Sequence, residues 1–304
     1  MKQLDVIIVG GSYAGLSAAM ALGRALRHVL IINAGEPANR QTPYAHNFLT
    51  HDGQPPAVIA DIARQQILAY PTITFKNDSV VGAVQTDRGF EVTTKSGQPY
   101  QSRKLLLATG VVDQLPAIDG LADCWGISAL HCPYCHGYEV AGQRIGVLAN
   151  GDLAVEMVRL IQQWSKQLTL FTNGPATLTP DQLDQLTRLN VPIVEPTVRQ
   201  MVHRQGYVQH LLADDGTTYP LDALFVRPII AKSNPLADQL GCVSNGMNLI
   251  EVTEFGQTNV VGVYAAGDNS TMLRAVSAAV ANGTKAGAFL NRELTENDLA
   301  FLAL

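Results

Sequence analysis

The chain lacks any apolar run approaching the roughly 18 residues that a membrane-spanning helix requires, so the sequence offers no bilayer span. It also lacks a basic block. Its 21 lysines and arginines stand against 26 acids, a formal net charge of −5, which is not the electrostatic footprint of a nucleic-acid binder. Aromatic residues are scarce at 6%, and a β-sandwich core would ask for more. The opening apolar run in "MKQLDVIIVGG" is too short for a signal-peptide core, and no small-residue cleavage site follows it. The expectation is a cytoplasmic protein with no membrane or nucleic-acid partner. With only four cysteines in 304 residues, a disulfide scaffold is excluded in that setting, and a C-x-x-C pair points to redox or metal chemistry.

Glycine and aliphatic residues are plentiful: 26 glycines and 47% apolar residues, enough for two α/β cores with tight turns. "LDVIIV" at 4–9 is a continuous β-branched run, as in a parallel strand buried on both faces. The glycine-rich "GGSYAG" follows, then an alanine-rich helix, then the strand "HVLIIN", completing a βαβ unit. A helix is predicted over 58–69, three alternating antiparallel strands from "TITFKN" to "GFEVTTKSG", and a buried strand at "KLLLATG". A second βαβ unit starts at Arg144 with "RIGVLAN", "GDLAVEMVRLIQQW" and "QLTLFTNG". A helix over 179–189 and several short strands follow. "VVGVYAAGD" is a late strand, and "LRAVSAAVANGTKAGAFLNREL" a long small-residue helix. The expected architecture is α/β, with two Rossmann-like three-layer dinucleotide-binding domains, the second inserted into the first. Residues 1–114 and 244–304 would form the outer domain and 115–243 the insert.

The first strand-to-helix turn approximates the G-x-G-x-x-G fingerprint of dinucleotide sites. Gly10, Ser12 and Gly15 hold its three positions, with Gly11 between the first two. Gly10 permits the turn, Gly15 lets helix and strand approach, and the helix N-terminus offers N–H donors and a positive dipole to phosphate. Asn33 stands where an acidic residue usually holds a ribose. Two further strand ends, "ATG" with Thr109 and Gly110, and "AAGD" with Gly267 and Asp268, supply turns where a ligand can approach the backbone.

These segments carry a family resemblance. "VIIVGGSYAGLSAA", "HNFL" at 46–49, "LLLATG", "CPYC", and "GVYAAGDN" followed by "RAVSAAVANGTKAG" resemble, in order and spacing, the low-molecular-weight thioredoxin reductases and their relatives over nearly the whole chain. The resemblance implies an FAD-dependent disulfide oxidoreductase, a homodimer, and an FAD domain split around a pyridine-nucleotide-type domain. Carried onto matching positions, it implies that Gly10, Gly11, Ser12, Gly15, Asn33, Gln41, Asn47, Thr109, Gly110, Gly267, Asp268, Arg274 and Ala275 line FAD; His46, just before Asn47, either reaches the flavin edge or is a structural histidine. It also implies a thioredoxin-like protein or a small dithiol or disulfide as partner.

"HCPYCHGYEV" at 131–140 admits three chemistries. Cys132, Cys135 and His136 spell a c-type haem attachment signature, but that chemistry belongs to exported proteins. His131, Cys132, Cys135 and His136 are all zinc-ligand types, yet six consecutive residues wrap one tetrahedral ion poorly and no second ligand pair completes them; no metal is expected. A redox disulfide fits the two-residue spacing, and Pro133 suits the first turn of a helix, where a thiolate is stabilised. By the resemblance, Cys135 faces the flavin and Cys132 attacks an external disulfide. His136 stands where those reductases carry an aspartate acid–base group. It also resembles the fungal-type dithiol oxidases, which pass electrons to oxygen. Cys124 and Cys242 read as buried small hydrophobes.

The second nucleotide site is degenerate. Ala149, Gly151 and Ala154 fill the G-x-G-x-x-A frame, with Asn150 and Asp152 between. The next strand ends in "LFTNG", without the arginines that pair a 2′-phosphate; Arg199 and Arg204 are the nearest basic residues downstream. Each charged hydrogen bond is worth about 1.5–3 kcal/mol, so NADPH recognition is expected to be weak. Ferredoxin or another flavin as electron donor, a second flavin nucleotide in this site, oxygen as acceptor, and a flavin-binding sensor without turnover all stay open. The terminal "LTENDLAFLAL" is expected to cover a flavin or a partner subunit, or to be disordered.

Overall fold

The computed structural model describes residues 4–302, which divide into two units. The first takes the chain up to Arg40, Asn47–Val112, and from Ile230 onward; the second takes Gln41–His46 and Asp113–Ile229. The return therefore comes at Ile230 rather than at 244. Leu236, Ala237 and Cys242 are the cause, since all three are buried in the first unit's core.

In the first unit, β1 (Leu4–Val9), α1 (Tyr13–Arg24) and β2 (Val29–Asn33) form the opening βαβ. Helix α2 (Pro56–Leu68) leads into β3 (Ile73–Asn77), then β4 (Val80–Thr86), β5 (Gly89–Thr94), β6 (Pro99–Leu107) and β7 (Val111–Gln114). β3, β2, β1 and β6 run parallel in that order. The alternating pattern of 72–77 predicted an antiparallel strand; β3 is instead a parallel edge strand. Alternation reports one exposed face, not strand direction, and an edge position exposes part of a parallel strand too. β4 and β5 do form the antiparallel extension.

The second unit follows with α3 (Leu121–Cys124), β8 (Ala129–Leu130), α4 (Pro133–His136), β9 (Ile145–Leu148), α5 (Gly151–Ile161), β10 (Leu168–Phe171), α6 (Pro180–Arg188) and β11 (Ile193–Val194). β12 (Val198–Arg204), β13 (Tyr207–Ala213) and β14 (Thr218–Pro220) make an antiparallel sheet, and β15 (Ala223–Val226) closes the unit. Its parallel sheet has the order β11-β10-β9-β15-β8. Leu148, Phe171, Leu224 and Val226 face Met201 and Leu211 of the antiparallel sheet. Ile145, Val147, Leu170 and Phe225 face Val155, Val158 and Ile161 of α5 and Leu186 of α6. The parallel sheet is thus covered on both faces, which is why its strands read as unbroken apolar runs.

The chain returns through β16 (Ile229–Lys232), α7 (Leu236–Gln239), β17 (Val263–Ala265) and α8 (Val276–Leu302). β17 pairs in parallel with the C-terminal half of β6. α8 packs on α1 at the distance that small residues allow. A Cβ on Gly283 would lie 2.1 Å from the Ala14 carbonyl oxygen, and one on Gly287 2.6 Å from that of Ala18. The Ser17 hydroxyl donates to the Val280 carbonyl at 2.8 Å. Of the readings of the terminal segment, disorder is the one overturned: the segment continues α8 through Leu302, and Asp298 is paired with Arg27 at 2.8 Å and Arg103 at 2.6 Å. Ala303 and Leu304 lie outside the described residues. Among the described residues no helix is long and apolar enough to cross a membrane.

Candidate active site

The β1–α1 turn is built by close backbone approach. Gly10 has φ +111°, and a Cβ there would fall 2.1 Å from the Ala108 carbonyl oxygen; one on Gly15 would fall 1.9 Å from that of Gly10. The turn is therefore pressed against the "ATG" turn that carries Thr109 and Gly110. Ser12 N-caps α1 without using its side chain, and the first turn contains no acid. The N–H groups and positive end of α1 are left for an anion. Asn33 accepts the Gly11 N–H on Oδ1 at 3.2 Å, which ties the end of β2 to the turn.

The remaining expected residues of the first unit lie in turns and at a helix start. Gly267 has φ +91°. Arg274 Nε lies 3.4 Å from Asp268 Oδ2. The Ala275 carbonyl accepts the Ala279 N–H at 2.9 Å, so Ala275 caps α8, again without acid in the first turn. Asn47 has φ +60° and donates its N–H to Asp52 at 2.7 Å. One residue was not singled out from sequence. Asn269 is buried and donates from Nδ2 to the Leu107 carbonyl at 2.9 Å and to Thr109 Oγ1 at 3.2 Å, while its Oδ1 has no hydrogen-bond partner. With Thr109, Gly110, Ser233, Asn234 and Asn248 it lines a small cleft. Helix ends open to anions, glycine cradles that a Cβ would fill and an orphaned buried acceptor fit a dinucleotide with a polar ring system. Asn269 directly follows the Gly-Asp pair, and that adjacency was its only sequence signal.

Gln41 and His46 belong to the second unit. Gln41 donates from Nε2 to the Ala122 carbonyl at 3.4 Å, and His46 Nε2 lies 3.3 Å from Glu139 Oε1. His46 thus comes to the cysteine motif. There Cys132 and Cys135 form a disulfide, with Cα atoms 5.3 Å apart. Cys132 N-caps the single turn α4, and Pro133 takes its first position. Tyr134 packs edge-on against Trp164 at 5.5 Å. His131 stacks on Trp125 at 5.7 Å. Burial, followed by the charge of His46, pushes the imidazole of His136 down to about 4. At neutral pH it is an uncharged proton acceptor. Cys124 and Cys242 are buried. Burial pushes the Cys124 thiol up to about 11 and the Cys242 thiol in the same direction, so neither offers a thiolate near neutrality.

The β9–α5 turn has the outline of the first turn and a different interior. Asn150 N-caps α5 and accepts the Gly151 N–H on Oδ1 at 2.9 Å. The same oxygen accepts the Thr177 N–H at 2.8 Å and its hydroxyl at 3.1 Å, while Asn150 Nδ2 donates to the Pro175 carbonyl at 2.9 Å. The loop after β10 is thereby folded over the α5 N-terminus. Asp152 puts a carboxylate in the first turn and accepts from Gln182 Nε2 at 2.7 Å. At the end of β10, Asn173 accepts the Val198 N–H at 2.8 Å. Ala154 is fully buried against the sheet.

Two Rossmann-like units, one with a C-x-x-C disulfide, define a disulfide-oxidoreductase type of architecture. Residues 4–283 match the family of pyridine nucleotide-disulphide oxidoreductases. The thioredoxin reductase tcpT of Claviceps purpurea is 34% identical over 302 residues, covering 96% of this chain and 94% of that one. An oxidoreductase from Agrobacterium tumefaciens is 36% identical with a TM-score of 0.91, covering 97% of this chain and 99% of that one. The crystal structure of HlmI is 31% identical with a TM-score of 0.93, covering 99% and 95%. The chain belongs to the pyridine nucleotide-disulphide oxidoreductase family, as a thioredoxin-reductase-like FAD-dependent disulfide oxidoreductase.

Proposed function

We propose that this enzyme exchanges electrons between FAD and the Cys132–Cys135 pair, and passes them by thiol–disulfide exchange to or from an external dithiol or disulfide, without relying on a nicotinamide nucleotide. The first unit would hold FAD through Gly10, Gly11, Ser12, Gly15, Asn33, Asn47, Thr109, Gly110, Gly267, Asp268, Arg274 and Ala275. FAD supplies the two-electron chemistry that interconverts the cysteine disulfide and dithiol. A homodimer is part of the same reading.

The observation that carries the nucleotide-independent part is Asn150. A pyrophosphate at the α5 N-terminus would compete with a side chain already on the Gly151 N–H, with the loop through Thr177, and with the charge of Asp152. At the α1 N-terminus nothing comparable stands in the way. The same closure speaks against a second flavin nucleotide there, and ferredoxin or a separate flavin is then the donor class for a reductase.

A second observation favours the direction of dithiol oxidation. A His136 imidazole neutral at pH 7 suits removal of a proton from an incoming thiol better than donation to a leaving thiolate. The thiolate attacks Cys132 Sγ, the Cys132–Cys135 bond breaks, and Cys135 departs with the electron pair. The substrate's second thiol resolves the mixed disulfide. Oxygen would then be the terminal acceptor. The names of the relatives point to a thioredoxin-like protein as the alternative partner.

The test is anaerobic mixing of the FAD-loaded protein with NADPH, with NADH and with a small dithiol while flavin absorbance is followed. Bleaching by the dithiol in wild type but not in Cys135→Ser, with neither nucleotide bleaching at a comparable rate, is expected. Rapid bleaching by either nucleotide would restore an ordinary nucleotide-dependent reductase. Absence of turnover with every dithiol and disulfide would favour a flavin sensor.

A further inference from the structure

Both tryptophans of the chain pack on the turn that carries Cys132 and Cys135. Trp125 is buried in the second unit's core and stacks on His131, just ahead of Cys132. Trp164, beyond the end of α5, touches the turn at two points. Its ring stands edge-on to Tyr134, between Pro133 and Cys135, at 5.5 Å. Its indole also lies on Gly137, where a Cβ would fall 2.8 Å from Nε1 and 2.9 Å from Cδ1. The loop that presents Trp164 is fixed without help from the cysteines. The Trp164 carbonyl accepts the Gly142 N–H at 2.9 Å, the Ser165 hydroxyl donates to the Gln143 carbonyl at 2.6 Å, and Gln167 Nε2 donates to the Gly142 carbonyl at 2.7 Å. The four residues of α4 are held by less. The Cys132 carbonyl accepts the His136 N–H at 3.2 Å, and the Pro133 carbonyl accepts the Gly137 N–H at 2.7 Å. One helical turn does not persist on its own bonds, so α4 keeps its shape through the disulfide and the rings around it.

We propose that Trp164 is a positioning residue for the redox pair: its contact with Tyr134 and Gly137 holds α4 in the form in which Cys132 and Cys135 are bonded, and so favours the disulfide over the dithiol. The proposal rests on the thiol–disulfide reading above. Tyr134 sits within the ring that the disulfide closes, so a contact that fixes Tyr134 limits how far the two sulfurs can part. The dependence is reciprocal: as far as the disulfide supports the ring contact, the contact supports the disulfide. In exchange with dithiothreitol, a reagent thiolate bonds to Cys132 Sγ as the Cys132–Cys135 bond breaks. The second reagent thiol closes a cyclic disulfide and releases Cys132. Dithiothreitol loses two electrons and two protons, and the cysteine pair gains both. Without the indole, the effective concentration of one cysteine at the other falls, and this equilibrium moves toward the dithiol.

The experiment equilibrates the FAD-loaded protein, without oxygen, in buffers of fixed ratios of reduced to oxidised dithiothreitol. Free thiols are trapped by alkylation after acid quenching, and mass spectrometry of the peptide holding both cysteines gives the fraction reduced. In Trp164→Ala the midpoint is expected at a ratio lower by about three- to tenfold, the range that one edge-on aromatic pair supplies. Trp164→Phe keeps a ring for Tyr134 and should stay closer to wild type. Tyr134→Leu should move the midpoint in the same direction, so the proposal is tested even where Trp164→Ala folds poorly. Adding Trp164→Ala to Tyr134→Leu should move it less than Trp164→Ala does alone, whereas a general softening of the fold would add in full. A midpoint unmoved in Tyr134→Leu or in folded Trp164→Ala, or shifts that add in full, would overturn the proposal while leaving the exchange reading in place. A wild-type pair that stays oxidised at every ratio would overturn both.

Discussion

Ser12 and Asn150 occupy equivalent places at the starts of α1 and α5, and only Asn150 turns its side chain on its own helix. A side-chain cap of this kind is worth about 0.5–2 kcal/mol. Asn150→Ala should lower stability by that amount in urea unfolding and leave FAD content unchanged. Gly15→Ala, whose Cβ would sit 1.9 Å from the Gly10 carbonyl oxygen, should yield protein that loses its flavin on gel filtration. His136 gives a pH prediction. Its folded-state value lies below the ordinary 6.5, so between those values the unfolded chain binds more protons and stability falls as pH falls. Above pH 6.5 no such loss applies. Between about pH 6.5 and 4 wild type should lose on the order of 3 kcal/mol that His136→Asn retains, as read from denaturant midpoints. At this scale the fingerprint glycines and the cysteine motif were legible because spacing alone defines them. The His46–Glu139 contact was not, since it joins residues 46 and 139 and no local pattern announces it.

At the scale of elements, α8 was legible as a long small-residue helix, but its packing on α1 was not, since the pattern names no partner. Its length was not, because the polar "LTENDL" segment looks like a tail until Arg27 and Arg103 are seen to hold Asp298. Gly283→Ala places a methyl 2.1 Å from the Ala14 carbonyl oxygen. It should cost about 1–3 kcal/mol and lower the melting temperature. On the proposed reading α1 carries the turn that would face the FAD phosphates, so flavin retention should fall with it, whereas Gly82→Ala, where a Cβ meets only Thr93 Cβ at 4.0 Å, should cost less and spare the flavin. The direction of β3 escaped the sequence for the reason given by its edge position.

Across the whole molecule, ligand linkage separates the two units. A ligand that binds only the folded protein stabilises it by about 2.7 kcal/mol at a hundredfold excess over its dissociation constant. FAD added to flavin-stripped protein should raise the melting temperature, and NADPH added to the flavin-loaded protein should leave it within error. The insertion of one βαβ unit inside another was visible in sequence as two strand-to-helix turns with a late closing strand and helix. The place of return was hidden, because the four-residue α7 carries too short a pattern to show which core buries it.

The hexapeptide Gln41–His46 leaves the first unit's chain path and joins the second, with Thr42 against Gly126, Gln41 on Ala122 and His46 on Glu139. For protein engineering this makes the central block non-modular. A chimaera that grafts only 113–229 from a relative would keep the host's 41–46 and pair it with a foreign cysteine turn. Recombination that carries both pieces together should give the more active hybrids.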